Sequence, residues 1–135
     1  MRATQKALMA RGLDSDGAAK LAQDGWTLNK LKLATETELK AIGLGESFIN
    51  ALFKEQRPPI PTDNLMKVLF DNRFQCCVCR DPKQSIIVHH IDEWAHSRSH
   101  ELENLAVLCL QHHDKAHTKG TLSQNLDPTT LRGLK

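Results

Sequence analysis

The stretch that decides the fold is CCVCRDPKQSIIVHHIDEWAHSRSHELENLAVLCLQHHDKAH, residues 76–117, which contains all four cysteines and all seven histidines of the chain. Thiolate and imidazole groups are the protein ligands that bind zinc and related transition metals. Their concentration in one segment predicts that the chemistry of this protein lies there.

Two ligand pairs with short spacing bracket the stretch. Cys76 and Cys79 form a C-x2-C pair, and Cys109 and His112 form a C-x2-H pair that starts 30 residues after Cys79. Pairs with these spacings converge on tetrahedral zinc sites in proteins. The spacing therefore predicts a structural Zn²⁺ bound by these four residues. Cys77 is interpreted as a small core residue or a free thiol.

The residues between the pairs predict two strands and a helix. The β-branched run at residues 86–91 is typical of a strand, and residues 104–108 are interpreted as the strand that returns beside it. Residues 110–118 are predicted to be helical. Adjacent side chains of a strand point to opposite faces, so we expect His89 and His90 to serve different functions.

The predicted helix carries three histidines that the helical period separates into two groups. His113 and His117 are four positions apart and share a face, whereas His112 is turned by about 100° from His113. We expect His112 to reach the zinc together with Cys109. His113 and His117 are then available to the strand that carries His89.

The ordered set of His90, Asn104 and His113 between the two zinc pairs resembles the HNH nuclease family, whose site has a ββα-metal fold. The resemblance covers roughly residues 64–120. It implies that His90 acts as a general base and that Asn104 holds the loop that carries this base. The last zinc ligand is commonly Cys in the family, whereas it is His112 here.

The same resemblance implies a second metal site with open coordination positions. His89 and His113 resemble the ligands of a catalytic divalent ion such as Mg²⁺, Mn²⁺ or Ni²⁺, and His117 resembles a trailing histidine that binds metal or phosphate in some members. A neutral imidazole, with an ordinary pKa of about 6.5, suits the proton-accepting role of His90. The family implies an endonuclease that hydrolyses DNA phosphodiester bonds.

A different function class stays open, because a non-enzymatic zinc ribbon that binds nucleic acid would carry the same cysteine pairs. Such a module has no need of histidines on facing elements, yet all seven histidines fall within residues 89–117. His96 and His100 lie in the predicted loop and are expected to be solvated, as are the charges of Asp92 and Glu93.

Residues 1–57 predict short helices with an internal repeat. The segment at residues 8–13 recurs at residues 39–44 with an offset of 31. Gly12 and Gly25 stand where C-terminal helix caps are expected. This half of the chain is therefore predicted to be all-α.

The second copy of the repeat, with Gly43-Leu44-Gly45 before an apolar helix, resembles the helix-hairpin-helix motif. In that motif, backbone N–H groups of the glycine turn bind a DNA phosphate without reading sequence. In the first copy Asp14 stands where Gly45 stands in the second, and an acidic side chain disfavours phosphate binding. The alternative is a packing or protein-interaction module of the sterile-alpha-motif type, in which the glycines are only turn residues.

The proline-rich run at residues 58–63 separates two predicted domains. Proline lacks an N–H donor and clashes with the preceding helical turn, so the run cannot continue a helix. We predict a helical tandem-hairpin domain at residues 1–57 and an HNH nuclease domain at residues 64–135. The predicted fold class is α+β, with an all-α half followed by a zinc-stapled ββα-metal half.

Composition limits the partners that this chain can have. Eighteen Lys and Arg residues against sixteen Asp and Glu residues give a net charge of +2, so contact with DNA is expected to be local. No membrane-spanning segment is expected, and the start of the chain lacks a secretory signal, which predicts a cytoplasmic protein. One active centre attacks one strand, so a double-strand cut requires a homodimer, a larger assembly or two visits.

Overall fold

The computed structural model of the chain describes residues 1–54, 58–117 and 128–135, with the side chains of Lys54, Ala95, His96, His117 and Pro128 outside that description. The described part is rich in helices and contains a two-stranded antiparallel sheet, which confirms the predicted α+β class. No helix in these ranges combines the length and the apolar character needed to cross a membrane.

The N-terminal half folds into two helical hairpins joined by a short helix. Its elements are α1 (Ala3–Ala10), α2 (Ser15–Gln23), α3 (Leu28–Leu33), α4 (Glu36–Ala41) and α5 (Glu46–Lys54). The predicted repeat corresponds to the hairpins α1–α2 and α4–α5.

Glycines end the first helix of each hairpin in the same way. Gly12 has a φ of 98° and Gly43 a φ of 92°, values that favour a residue without a Cβ atom. The N–H of Leu13 donates to the carbonyl of Leu8, and the equivalent bond closes the second turn, as in the Schellman motif. Gly25 ends α2 with a φ of 88°, which confirms its predicted role as a cap.

The C-terminal half contains the sheet and the helices around it. Its elements are α6 (Thr62–Asp71), β1 (Ile86–His90), α7 (Trp94–Ser97), a short 3-10 helix (Leu102–Asn104), β2 (Leu105–Cys109), α8 (Leu110–His117) and α9 (Pro128–Leu134). Helix α6 begins at Thr62, inside the predicted linker, because Pro61 occupies its N-cap position. Asn104 ends the 3-10 helix rather than starting β2, since its side chain bonds to the preceding loop.

The two strands place alternate side chains in two separate apolar clusters. One face joins a cluster that includes the helices of the N-terminal half, and its members are Ile86, Val88, Leu105 and Val107. The opposite face joins a cluster beside the cysteines, and its members are Ile87, Ala106 and Leu108. The sheet therefore separates two cores. His89 pairs with Ala106 and His90 with Leu105, so the two histidines lie on opposite faces, as predicted.

The core on the first face extends across the predicted boundary between the halves. It joins Leu8, Leu39 and Ile49 of the hairpins to Leu65 and Leu69 of α6, and all five side chains are buried. Complete burial of a side chain of this size contributes about 1.5–3 kcal/mol. The hairpins therefore support the sheet directly, and the division into two domains stays a prediction.

A group of polar side chains fixes the first hairpin to the start of β1. The hydroxyl of Ser85 donates to Oδ2 of Asp14 at 2.7 Å, and the N–H of Ile86 donates to Oγ of Ser15 at 3.0 Å. Asp14 also caps α2, since its side chain accepts the N–H of Gly17 at 3.1 Å. The turn of the first hairpin is therefore bonded to the residues at the start of β1.

We expect Gly43→Ala to lower the free energy of unfolding by about 1–2 kcal/mol, because an alanine at this positive φ is strained. Neither Gly43 nor Gly133 has a heavy atom within 4 Å of an added Cβ, so crowding does not contribute. Gly133→Ala, within helix α9, is the matched control and should leave stability unchanged or raise it. Urea denaturation measures both variants, and equal midpoints would contradict the turn geometry.

Candidate metal centre and catalytic site

The two zinc-ligand pairs lie on elements that the sheet holds together. The turn with the C-x2-C pair is tied to β2, because the N–H of Cys77 donates to the carbonyl of Val107 at 2.8 Å. Cys109 is the last residue of β2, and His112 lies in the first turn of α8. Backbone pairing therefore brings the second ligand pair beside the first.

The structure brings together the four predicted zinc ligands, Cys76, Cys79, Cys109 and His112, whose ligand atoms all lie within 4.8 Å of one another. Nδ1 of His112 is 3.1 Å from Sγ of Cys109 and 3.6 Å from Sγ of Cys76. The Sγ atoms of Cys79 and Cys109 are 4.0 Å apart. Sulfur atoms that share a tetrahedral zinc lie about 3.8 Å from one another, so this donor set fits the ion.

Burial and hydrogen bonds set the electrostatics of this cluster. Burial alone would raise the pKa of the Cys76 thiol, but hydrogen bonds with backbone groups of Cys79 and Cys109 outweigh it and place this pKa below its ordinary value. Burial raises the pKa of Cys109. Burial and the nearby Lys115 ammonium lower the pKa of His112, which favours the neutral imidazole that binds metals.

Cys77 stands apart from the four ligands. It is 3% exposed and packs in the cluster beside Leu108 and Leu131. Burial and the neighbouring Cys76 raise the pKa of the Cys77 thiol to about 11, so the thiol stays protonated at neutral pH. Cys77 is therefore a small core residue with a free thiol, so both predicted interpretations apply.

His89 and His113 meet on the face of the sheet that carries the cysteine cluster. Their ring centroids are 5.2 Å apart, and the ring planes cross at 78°. Helix α8 contacts both strands, which places His113 beside the buried ring of His89. His117, the third histidine predicted for this site, is the last residue of α8, and its side chain lies outside the described residues.

His90 faces the other way and forms a hydrogen bond with a second histidine. Its Nε2 atom lies 3.0 Å from Nδ1 of His100, and Nε2 of His100 lies 3.0 Å from the carbonyl oxygen of Pro58. The Trp94 ring stacks on His100 with a centroid distance of 4.3 Å and an angle of 18°. The expectation that His100 is solvated is therefore wrong, since its ring is half-buried between partners.

Asn104 fastens the loop that follows His90. Its Oδ1 accepts the N–H of Asp92 at 2.8 Å, and its Nδ2 donates to the carbonyl of the same residue at 3.2 Å. The same Nδ2 lies 2.9 Å from the carbonyl of Ser99 and 3.2 Å from the hydroxyl of Ser97. Asn104 is 3% exposed. These bonds restrain the chain directly after His90, which is what the family resemblance implies for this residue.

The C-terminal helix α9 packs near the same loop. Leu131 is 1% exposed and belongs to the cluster beside the cysteines. Arg132 pairs with Asp92, with Nη2 and Oδ2 2.9 Å apart. Asp92 is exposed, as predicted, and both its backbone and its carboxylate also have partners. The ion pair is partly exposed, so its contribution to stability is small.

His100 and Trp94 are the residues near the candidate base that sequence analysis missed. Trp94 begins the four-residue helix α7 and His100 lies in the loop after it, and neither segment is long enough to show a helical or strand period. The two hydrogen bonds of His100 connect residues that are 10 and 42 positions apart, and no local pattern predicts such pairings. The only available signal was the presence of a histidine shortly after the predicted base.

We expect the purified chain to contain one equivalent of zinc, and we expect Cys79→Ser and Cys109→Ser to lose most of it. Structural zinc contributes directly to folding, so both variants should also unfold at a lower temperature. Cys77→Ala is the matched control and should keep its zinc, because Cys77 is not in the ligand group. Elemental analysis and thermal unfolding measure these outcomes. Less than half an equivalent of zinc in the parent would contradict the site.

The sequence segment that carries this geometry matches a known family. The family model described as HNH endonuclease matches residues 75–119, which include the cysteine cluster, both strands and α8. No curated protein and no solved structure matches the chain. The Cys3His group lies within the matched segment. Residues 75–119 of this chain are therefore similar to the HNH endonuclease family.

Proposed function

We propose that the protein is a metal-dependent endonuclease that hydrolyses phosphodiester bonds of DNA. One observation carries the proposal: β1 directs His89 toward His113 on one face and His90 toward His100 on the other. A binding module gains nothing from two adjacent buried histidines with separate partners. A nuclease needs this separation, because one imidazole binds a metal while the other accepts a proton.

His89 and His113 would hold the catalytic ion, Mg²⁺, Mn²⁺ or Ni²⁺. Imidazole nitrogen suits Mn²⁺ and Ni²⁺, and two protein ligands leave coordination positions open for substrate. When bound, the ion neutralises charge on the phosphoryl oxygens and on the leaving 3′ oxygen. We propose His117 as a further ligand for the ion or for phosphate, on the basis of its place one turn after His113.

His90 would act as the general base of the reaction. A neutral imidazole takes a proton from the attacking water, the oxygen of that water forms a bond to phosphorus, and the bond to the 3′ oxygen breaks; the 3′ oxygen leaves with the electron pair and takes a proton from solvent. The expected products are a 5′ phosphate and a 3′ hydroxyl. Asn104 supports the base by holding the backbone of the loop that follows it.

The Cys3His cluster would bind a structural Zn²⁺ that fastens the C-x2-C turn to β2 and α8. All four ligand positions belong to the protein, so the ion would have no open position for substrate. Reduced thiols of this kind fit a cytoplasmic location, where disulfides are rare.

The helical half would contact DNA through the second hairpin. Gly43 and Gly45 have no heavy atom within 4 Å of the place of a Cβ, so a phosphate can approach this turn closely. In the first hairpin Asp14 and Ser15 are bonded to Ser85 and Ile86 instead. We therefore assign the DNA contact to one hairpin and a supporting role to the other. Binding of a second protein, including a second copy of this chain, is the alternative.

We expect His90→Ala to reduce cleavage of supercoiled plasmid by about 10²- to 10⁴-fold, because a general base contributes a factor of this size. Zinc content and circular dichroism should match those of the parent. His89→Ala and His113→Ala should instead weaken binding of the catalytic metal, so excess Mn²⁺ should restore part of their activity.

The parent must cut plasmid with at least one of Mg²⁺, Mn²⁺ and Ni²⁺, and EDTA must stop the reaction. Cleavage by His90→Ala within a few-fold of the parent rate would contradict the proposed base. A parent that is inactive with every ion would favour the non-enzymatic zinc module.

We expect Gly45→Asp to weaken DNA binding several-fold, because its carboxylate would repel a phosphate at the turn. Gly45→Asn is the matched control, since it has the same shape without the charge and should bind as the parent does. Asp and Asn are both favourable at the position directly before a helix, so both variants should keep the fold of the parent. Fluorescence anisotropy with duplex DNA measures the affinities. Equal affinities for the two variants would favour the protein-interaction alternative.

A further inference from the structure

His100 has two hydrogen-bond partners whose chemistry determines where its proton lies. The carbonyl oxygen of Pro58 can only accept, so Nε2 of His100 donates to it across 3.0 Å. In a neutral imidazole the other nitrogen is then an acceptor. Nδ1 of His100 therefore accepts a hydrogen bond from Nε2 of His90, also across 3.0 Å.

The same chain of bonds fixes the tautomer of His90. With its proton on Nε2, the neutral ring of His90 carries its basic lone pair on Nδ1. When Nδ1 takes a proton from water, Nε2–H continues to donate to His100 and stabilises the imidazolium that forms. The carbonyl of Pro58 thus determines, through His100, which nitrogen of His90 is the base.

We propose that His100 is a positioning residue that holds His90 in the Nε2–H tautomer and orients it for proton transfer. This inference rests on the function proposed above. It assigns a role to a residue that is not among those that carry the resemblance, and the group that orients His90 is the ring of another histidine.

The surroundings of His100 fix both its ring and its backbone. The Trp94 ring stacks on its imidazole at 4.3 Å, and Nδ2 of Asn64 in α6 donates to its carbonyl at 2.9 Å. A ring held by stacking, by a carbonyl and by its own backbone has little freedom to turn. It can therefore transmit a fixed orientation to His90, as catalytic preorganisation requires.

The tautomer can be measured without any assay of activity. Long-range ¹H–¹⁵N correlation spectra of the full, zinc-loaded chain distinguish the two neutral forms of each imidazole. We expect His90 and His100 to be in the Nε2–H form in the parent, and we expect His90 to become a mixture of forms in His100→Ala. An Nδ1–H form of His90 in the parent, or an unchanged spectrum of His90 in His100→Ala, would overturn the inference.

Three substitutions of His100 separate positioning from mere packing. His100→Ala should lower kcat for plasmid cleavage by about 10- to 100-fold, with little change in the DNA concentration that gives half the maximal rate. His100→Asn can present an amide oxygen near the position of Nδ1 and should recover most of the loss. His100→Gln can reach Pro58 but offers no acceptor at Nδ1, so it should behave as His100→Ala does.

Glu101→Gln, at the exposed neighbouring position, is the control and should leave both parameters unchanged. Equal rates for His100→Asn and His100→Gln, or a kcat of His100→Ala within twofold of the parent, would overturn the positioning role. Neither result affects the proposed nuclease, which depends on the loss of activity in His90→Ala. An inactive parent would contradict the nuclease alone, because the tautomer spectra still decide the role of His100.

Discussion

The antiparallel pairing of β1 with β2 is the constraint on which the site depends. It sets His89 opposite Ala106 and His90 opposite Leu105, so a shift of one residue in β1 would exchange the faces of both histidines. Two buried clusters prevent that shift, because each face of the sheet has its own apolar partners. The register that satisfies the cores therefore also separates the proposed metal ligand from the proposed base.

Because the sheet depends on its apolar partners, the helical half has a structural role in the sheet as well as its own fold. A two-stranded sheet is marginally stable alone, and the cluster that covers one of its faces is completed by residues of α1, α4 and α5, such as Leu8, Leu39 and Ile49. The first hairpin also bonds to the start of β1 through Ser85. Both copies of the repeat therefore contribute to the core that covers the sheet, and the glycine turn of the second copy has no heavy atom within 4 Å of an added Cβ.

Local sequence signals predicted the features that depend on spacing. The cysteine pairs, the helix-ending glycines and the opposed directions of His89 and His90 follow from spacing, from backbone conformation or from the strand period, and the structure shows all three. The shared core and the environment of His100 depend on contacts between distant parts of the chain. No period in the sequence encodes them, so His100 is predicted to be solvated and is instead half-buried between partners.

Two asparagine side chains hold the loop between the strands in place. The proposed base, His90, lies directly before this loop. Asn104 holds Asp92 and Ser99 by their backbones, and Asn64 holds the carbonyl of His100. Hydrogen bonds from these two side chains orient a connection in which only α7 and the short 3-10 helix are regular. Because these bonds come from Asn104, directly before β2, and from α6, the loop that follows His90 is anchored to the same core that fixes the strand register. The helical half, by completing that core, thus contributes indirectly to the geometry of the proposed base.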